Sequence, residues 1–352
     1  MNIDEILIEG IRREASDVHI VCVLPPIVRV HGKLIRLEKY GKIFPDLSYK
    51  MLTAILNEDQ MKRLEKNLTL DFSYAISEAG RFRCNYFYQR GSLAGAFRLI
   101  SRDILNIEEL GLPRQIEEFA TYPRGLVLVT GPTGSGKSTT LASIINIINS
   151  SRTENIITLE DPIEYLFDHR KSIISQREIL ADARSFNSAL RVVLREDPDV
   201  IMVGEMRDLE TIANTLTAAE TGHLVFSTLH TQDAAQTVDR IIDVFPTHQQ
   251  KQIRAQLAGT LKAVLVQQLL PNRNGDGRVV ATEMMFVTAA IRNMIREMKV
   301  HQINSAIQAG GKRGMMTMDM SLANLYKKGK ITRELAFEKA HNRDEMKRML
   351  EY

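Results

Sequence analysis

Short apolar runs that alternate with helical stretches dominate the chain from residue 125 onward. Four runs have the length and composition of buried strands: 125–130, 154–159, 199–204 and 223–229. The stretches between them have helical spacing, and after about residue 288 the pattern is helical to the end. Strands that alternate with helices predict a mainly parallel sheet with helices on both faces, an α/β fold.

The first hundred residues follow a different pattern, with runs rich in β-branched and aromatic residues. Helical periodicity covers residues 3–15 and 52–64. The strand-like runs are 18–23, 27–30, 71–76, 81–88 and 93–99. Pro25 and Pro26 force a turn or a sheet edge between the first two runs. This part of the chain predicts a separate α+β module.

The length of 352 residues favours two domains, because a single core seldom grows this large. We predict an N-terminal domain over 1–100, a linker over 101–120 and an α/β domain over 121–352, whose C-terminal region is helical from about 288. Gly111 and Pro113 mark the linker.

Composition indicates an ordinary globular protein, with 44% hydrophobic and 25% charged residues and a net charge of +3. The acidic, amphipathic N-terminus is unlike a signal peptide, and no apolar run approaches the ~18 residues of a membrane span. Cys22 and Cys84 are isolated and suit a reducing compartment. We therefore expect a cytosolic protein, or one peripheral to the cytosolic face of a membrane.

Charge gives little support for nucleic-acid binding. Residues 1–120 carry 17 basic and 17 acidic side chains, and residues 121–289 carry 16 and 19. Residues 290–352 carry 13 and 7, a mild basic excess that is more often a solvated face. Tryptophan is absent and aromatic residues are 6%, whereas nucleic-acid grooves combine basic and aromatic side chains. No nucleic-acid partner is expected.

A phosphate-binding loop lies between the first apolar run and the helix after it. Residues 131–139, GPTGSGKST, fit the pattern G-x-x-x-x-G-K-S/T. Glycines let backbone N–H groups approach phosphate oxygens, the lysine reaches the β- and γ-phosphates, and the following hydroxyl ligates Mg²⁺. The helix N-terminus behind the loop favours anions. The predicted nucleotide-binding residues are Gly131, Thr133, Gly134, Ser135, Gly136, Lys137, Ser138 and Thr139.

Acidic residues follow two of the predicted strands. Glu205 follows run 199–204, where it can accept a proton from an attacking water; a surface acid at a strand end is the alternative. Gly204 stands where many proteins with this loop have a Mg²⁺-holding Asp. Glu160, Asp161 and Glu164 cluster after run 154–159, as an acidic turn or as groups that order Mg²⁺ or water.

Histidines bracket the fourth run. Thr228 and His230 lie at its carboxyl end, better placed than His223 to sense the γ-phosphate, but either histidine could be structural.

Arginines are candidates for stabilising phosphoryl-transfer charge from a neighbouring subunit. Arg191 and Arg195 share one helical face, and they could simply pair with the acids that follow. Arg81, Arg83 and Arg98 lie on predicted strands. Nothing local selects among them.

Together these passages resemble the secretion ATPase superfamily of type II secretion and type IV pili. The shared motifs are the acidic box LEDPIE at 159–164, the run REDPDVIMVGEMRD at 195–208, and the His box from Thr221 to His230. Within it, the run AIRNMIRE at 290–297 is similar to the C-terminal signature of pilus-retraction ATPases. The longer assembly ATPases usually carry a tetracysteine zinc site, which two isolated cysteines cannot form.

The resemblance implies a PAS-like N-terminal domain, a RecA-like ATPase domain and a homohexameric ring that uses ATP and Mg²⁺. It implies that the motor acts on an inner-membrane platform protein and reaches the membrane through it. It also implies roles for individual residues: Glu205 activates water, Glu164 is the acidic-box carboxylate, and His230 with His223 forms the His-box pair. Arg81 and Arg98 resemble arginines that contact nucleotide. Ser138, Glu164 and Glu205 are then the predicted metal-binding residues.

Two other functions stay open at this point. A nucleic-acid translocase could use the same core, although the charge distribution disfavours it. An accessory paralogue that regulates a main motor could keep every core motif.

Overall fold

The computed structural model describes residues 2–77 and 79–351, which form two compact units. The first unit contains the chain up to residue 102 together with residues 162–166. The second contains residues 103–161 and the chain from residue 167 onward. The predicted boundaries at 100 and 120 stay a prediction, because compactness alone does not define an independently folding domain.

The first unit packs helices against an antiparallel six-stranded sheet. Its helices are α1 (Ile3–Arg12), α2 (Pro45–Thr53) and α3 (Glu58–Asn67). Its strands are β1 (Asp17–Ile20), β2 (Ile27–Val30), β3 (Lys33–Arg36), β4 (Thr69–Ile76), β5 (Gly80–Gln89) and β6 (Ser92–Leu99). The strand order is β3-β2-β1-β6-β5-β4. The core lies between this sheet and the helices, and Phe82, Tyr86 and Phe97 are fully buried in it.

The predicted helix over 52–64 is wrong, because the structure has two helices there. Helix α2 ends at Thr53 and α3 begins after Asn57. The Asn57 side chain accepts from the Gln60 backbone N–H, and the Gln60 side chain accepts from the Asn57 backbone N–H. This reciprocal cap satisfies donors that a helix start leaves free, so it favours a new helix over continuation.

The second unit is a seven-stranded sheet covered by helices. Its strands are β7 (Gly125–Thr130), β8 (Asn155–Glu160), β9 (Ile173–Glu178), β10 (Val200–Val203), β11 (Leu224–Leu229), β12 (Leu261–Pro271) and β13 (Arg278–Phe286). Its helices are α4 (Lys137–Ser151), α5 (Phe186–Val193), α6 (Leu209–Glu220), α7 (Ala234–Asp243), α8 (Thr247–Thr260), α9 (Ala289–Arg296), α10 (Ile303–Ala309), α11 (Met318–Lys327), α12 (Arg333–Lys339) and α13 (Arg343–Glu351).

The sheet is mainly parallel, as the alternating pattern predicts. Its order is β13-β12-β7-β11-β10-β8-β9, and only the β12–β13 pairing is antiparallel among the described strands. Every residue of β7, β10 and β11 is buried, because helices cover both faces of a parallel sheet. The α/β fold class is confirmed, and the carboxyl ends of β7, β8, β10 and β11 meet at one edge.

Residues between the two predicted domains pack into the second unit. Ile107, Leu112, Ile116 and Phe119 are buried in its core, and Phe119 meets Phe286 edge to face at 5.9 Å. A 3₁₀ helix covers Arg114–Thr121. This segment therefore has the burial of a core element.

The C-terminal helices complete the core of the second unit. Ile291, Ile303, Leu322 and Met346 are buried in it. Buried Glu283 of β13 contacts the first residues of two helices, Ala234 of α7 and Met318 of α11. Its carboxylate accepts from Ala234 N at 2.7 Å and from Met318 N at 3.2 Å. Burial raises the pKa of Glu283, and the two N–H donors oppose that rise.

Across the described ranges, no helix is long and apolar enough to cross a membrane.

Candidate active site

The phosphate loop joins β7 to α4. Gly131, Gly134 and Gly136 have φ values of +140°, +78° and +90°, which residues with a side chain rarely adopt. Helix α4 begins at Lys137 with Gly136 as its N-cap. The free backbone N–H groups of the first turn and the helix dipole make this an anion-binding position.

Close backbone packing explains why position 131 must be glycine. A Cβ on Gly131 would lie 2.2 Å from the Gln267 carbonyl oxygen on β12 and 2.7 Å from Ser135 Oγ. Gly134, in the same loop, has open space around it. Glycine is therefore needed at position 131 because a side chain would clash there, whereas at position 134 it is needed only for the positive φ.

We expect Gly131→Ala to destabilise the loop and Gly134→Ala to do so less. Overpacking costs about 1–3 kcal/mol, so Gly131→Ala should lower the melting midpoint by roughly 5 °C and weaken nucleotide binding. Circular-dichroism melting with and without ADP measures both effects. Equal melting of the two variants would show that the contact with Gln267 does not constrain the loop.

Lys137 folds back onto the loop. Its Nζ donates to Gly131 O at 2.8 Å and to Pro132 O at 3.1 Å, and the residue is buried. These carbonyls hold the ammonium group against the phosphate loop, and in this motif the lysine reaches the β- and γ-phosphate oxygens of a bound nucleotide.

The remaining predicted loop residues differ in exposure. Thr133 and Gly134 are exposed, Ser135 is buried, and Ser138 and Thr139 in the first turn of α4 are half-buried. The Ser138 hydroxyl fits the usual position of a Mg²⁺ ligand, since Mg²⁺ needs few protein ligands when phosphates and water supply the rest. No three His, Cys, Asp or Glu side chains converge in the described part of the chain.

Glu205 lies just beyond the carboxyl end of β10, as predicted. Its Oε1 lies 3.0 Å from His230 Nε2, and its Oε2 lies 2.8 Å from an Arg207 nitrogen. The Glu205 side chain is 20% exposed, whereas that of Arg207 is 76% exposed. The carboxylate is thus recessed between two basic groups, and each oxygen keeps a lone pair for a water.

The charges around Glu205 keep it ionised. Burial raises the pKa of this carboxyl, but the hydrogen bond from Arg207 and the charges of His230 and Lys137 outweigh burial and lower it below its ordinary value. Because the charge of Lys137 lowers the pKa of Glu205, the phosphate loop and Glu205 belong to the same site. An ionised, recessed carboxylate can accept a proton from water.

A side chain at Gly204, where many proteins with this loop have an aspartate, would be in tight contact with the neighbouring strand. A Cβ there would lie 3.2 Å from the Leu159 carbonyl oxygen, which accepts from Gly204 N at 2.8 Å. The Gly204 carbonyl accepts from Thr228 Oγ1 at 2.6 Å. The backbone at this strand end is therefore tied to both neighbouring strands.

The acidic box divides between the two units. Glu160 is buried and accepts from Thr158 Oγ1 at 2.6 Å and from Gln176 Nε2 at 3.3 Å. Asp161 is exposed, and its charge acts on Arg207. Glu164 is exposed and belongs to the first unit. Its roles as acidic-box carboxylate and metal ligand stay predictions.

The two histidines lie at opposite ends of β11. His230 contacts Glu205, but His223 precedes the strand, with its Nδ1 2.9 Å from the Ala218 carbonyl oxygen. Seven residues of extended chain separate them by roughly 20 Å. The structure therefore brings only His230 to Glu205, and a catalytic role for His223 stays a prediction.

The two predicted arginines lie in the first unit. Arg81 is on β5, and Arg98 on β6 pairs with Asp17 through Nε and Oδ1 at 3.0 Å. Their contact with nucleotide stays a prediction.

Two contributors lie outside the predicted set. Arg207 follows Glu205 by two residues. Its position just after a strand end could therefore have indicated that it belongs to the site. Gln267 has no local signal, because only the strand order places β12 beside β7. Arg207 contacts the Glu205 carboxylate, and Gln267 packs against Gly131 of the phosphate loop.

The chain is similar to known proteins over nearly its whole length. The family model described as type II/IV secretion system protein matches residues 1–336. The chain is 48% identical over 344 residues to the type IV pilus retraction ATPase PilT of Pseudomonas aeruginosa, covering 97% of this chain and 98% of the relative. It is 48% identical over 325 residues to a twitching motility protein of Neisseria gonorrhoeae, covering 91% and 86%. A crystal structure of the pilus retraction motor PilT with bound ADP superposes with a TM-score of 0.90 at 48% identity, covering 99% of both chains.

Proposed function

The chain belongs to the type II/IV secretion system protein family, and we propose that it is an ATP-hydrolysing motor that retracts type IV pili. The observation that carries this proposal is the site itself. Lys137 of the phosphate loop, ionised Glu205 and His230 share one edge of a parallel sheet. The near full-length similarity to a retraction ATPase then indicates what the hydrolysis drives.

In this proposal different residues of the second unit bind the nucleotide and activate the water. The loop glycines and the first turn of α4 bind the phosphates, and Lys137 balances their charge. Glu205 accepts the proton of the attacking water, while Arg207 and His230 orient its carboxylate. Mg²⁺, held by Ser138 and phosphate oxygens, would neutralise charge on the transferred phosphate.

We propose a homohexameric ring as the working form, with Arg81, Arg98 and Glu164 serving the nucleotide once domains or subunits close. The ring would act on an inner-membrane platform protein of the pilus machinery. That partner would hold it at the cytoplasmic face of the membrane, where ATP is supplied. The family resemblance supports these features.

Loss of this chain from its host should leave pili extended and cells unable to twitch. Electron microscopy of surface pili together with a twitching assay measures the effect, and the reintroduced gene is the control. A bald cell would instead assign the chain to pilus assembly. Unchanged pili and motility would contradict a main motor. Purified protein that hydrolyses ATP only with a second motor would favour the accessory alternative.

A further inference from the structure

Three cations lie together at the amino end of the second sheet, and we call them the amino-edge cluster. Arg124 immediately precedes β7, and Lys262 is the second residue of β12, at a bulge between Leu261 and Ala263. Arg292 lies on α9, within the run 290–297.

Backbone packing brings these residues together. The Lys262 stem crosses Gly125, where an added Cβ would lie 2.5 Å from its Cε. The Lys262 carbonyl accepts from Val287 N at 2.8 Å, which places the end of β13 and the start of α9 beside it. Burial, followed by the charges of Arg292 and Arg124, lowers the pKa of Lys262, so both arginines act on this lysine.

The cluster has no anion of its own. Over residues 2–77 and 79–351, none of its members forms an ion pair, and Arg292 Nε is buried without an acceptor. Arg152 in the same unit shows the usual arrangement: it donates to Ala120 O and Tyr122 O and pairs with Glu154 at 2.7 Å. Lys262 and Arg292 are half-buried, and Arg124 is exposed beside them. Partly desolvated cations without partners are costly, so Lys262 and Arg292 favour a ligand outside the chain.

We propose that the amino-edge cluster is a docking site for the carboxylates of an acidic segment on a partner protein. Arginine forks bind carboxylates with two parallel hydrogen bonds. The surrounding surface favours a protein over a free anion, because Ala289 and Ala290 are exposed and Met298 is 65% exposed. Arginine and methionine beside exposed apolar surface are typical of protein interfaces.

This site is remote from the nucleotide. Strand β7 runs from Gly125 at the cluster to Thr130 before the phosphate loop, a length of roughly 20 Å. Parallel β12 likewise runs from Lys262 to Gln267 behind Gly131. This docking site depends on the proposed function in one respect: the partner is taken to be a protein on which the motor acts.

The test measures binding of a fluorescein-labelled peptide of alternating glutamate and alanine to the full chain at low ionic strength. We expect it to bind at least ~10-fold more tightly than the matched glutamine peptide. Lys262→Met keeps the aliphatic stem, and Arg292→Gln keeps a polar side chain. Each should weaken binding about tenfold or more, with ATP turnover unchanged. Lys327→Met, an exposed lysine of α11, is the matched control and should bind as wild type.

Three results would overturn the docking site: equal binding of both peptides, equal loss in Lys327→Met, or displacement of the peptide by inorganic phosphate at similar concentration. The last would identify a phosphate site. Because binding and ATP turnover are measured separately, failure of this inference leaves the proposed ATPase function intact, and loss of turnover alone leaves the docking site intact.

Discussion

Lys137→Ala should abolish ATP turnover, with a fall in rate of at least about a hundredfold. Lys137 Nζ is the cationic group that two carbonyls hold at the phosphate loop, from where it can donate to phosphate oxygens. Removing one preorganised donor to developing charge typically costs about 10²–10³ in rate. Hydrogen bonds to charged groups contribute about 1.5–3 kcal/mol, so nucleotide affinity should also fall by tenfold or more. Phosphate release and calorimetric titration with ADP measure the two effects.

The control for this prediction is Lys251→Ala on α8, an exposed lysine of the same unit. It removes the same charge from the surface, and turnover should stay at the wild-type rate. Wild-type turnover in Lys137→Ala would mean that the loop does not bind the reacting phosphates.

Glu205→Gln should bind nucleotide but hydrolyse ATP much more slowly than the wild-type protein. Glutamine keeps the size of the side chain, but it loses the negative charge that accepts the proton of the attacking water. General base catalysis contributes about 10²–10⁴ in rate, so hydrolysis should fall by that factor while ADP affinity stays within a few fold of wild type. Single-turnover hydrolysis and ADP titration of the same preparation give both values.

Glu196→Gln is the matched control for this variant. Glu196 also pairs with an arginine, since its Oε1 lies 2.8 Å from Arg177 Nη1. Glu196→Gln should hydrolyse ATP normally, because Glu196 lies before β10 and beside Asn155 at the start of β8, whereas the phosphate loop follows the carboxyl end of β7. Normal turnover in Glu205→Gln would remove Glu205 from the mechanism.

The local features of the fold could be predicted from the sequence. The runs 125–130 and 223–229 match β7 and β11 within one residue, because buried parallel strands are continuously apolar. The phosphate loop was predictable because its chemistry depends on neighbours in sequence. Glu205 could be placed by one further rule, that carboxyl ends of parallel strands line the ligand edge.

Features that depend on distant pairing could not be predicted. Strand β12 lies beside β7 although about 130 residues separate them, so the contact of Gln267 with Gly131 has no local signature. The contact between Arg207 and Glu205 depends on side-chain direction after β10. The amino-edge cluster likewise forms only because β7, β12 and α9 meet.

The shortening of single pili in living cells is the most direct readout of a retraction motor. In cells whose only copy of this chain carries Glu205→Gln, the lengths of individual labelled pili can be followed by fluorescence microscopy. We expect pili that extend but do not shorten, more pili per cell, and no twitching. Pili that shorten at the wild-type rate, in cells whose purified Glu205→Gln protein no longer hydrolyses ATP, would contradict it.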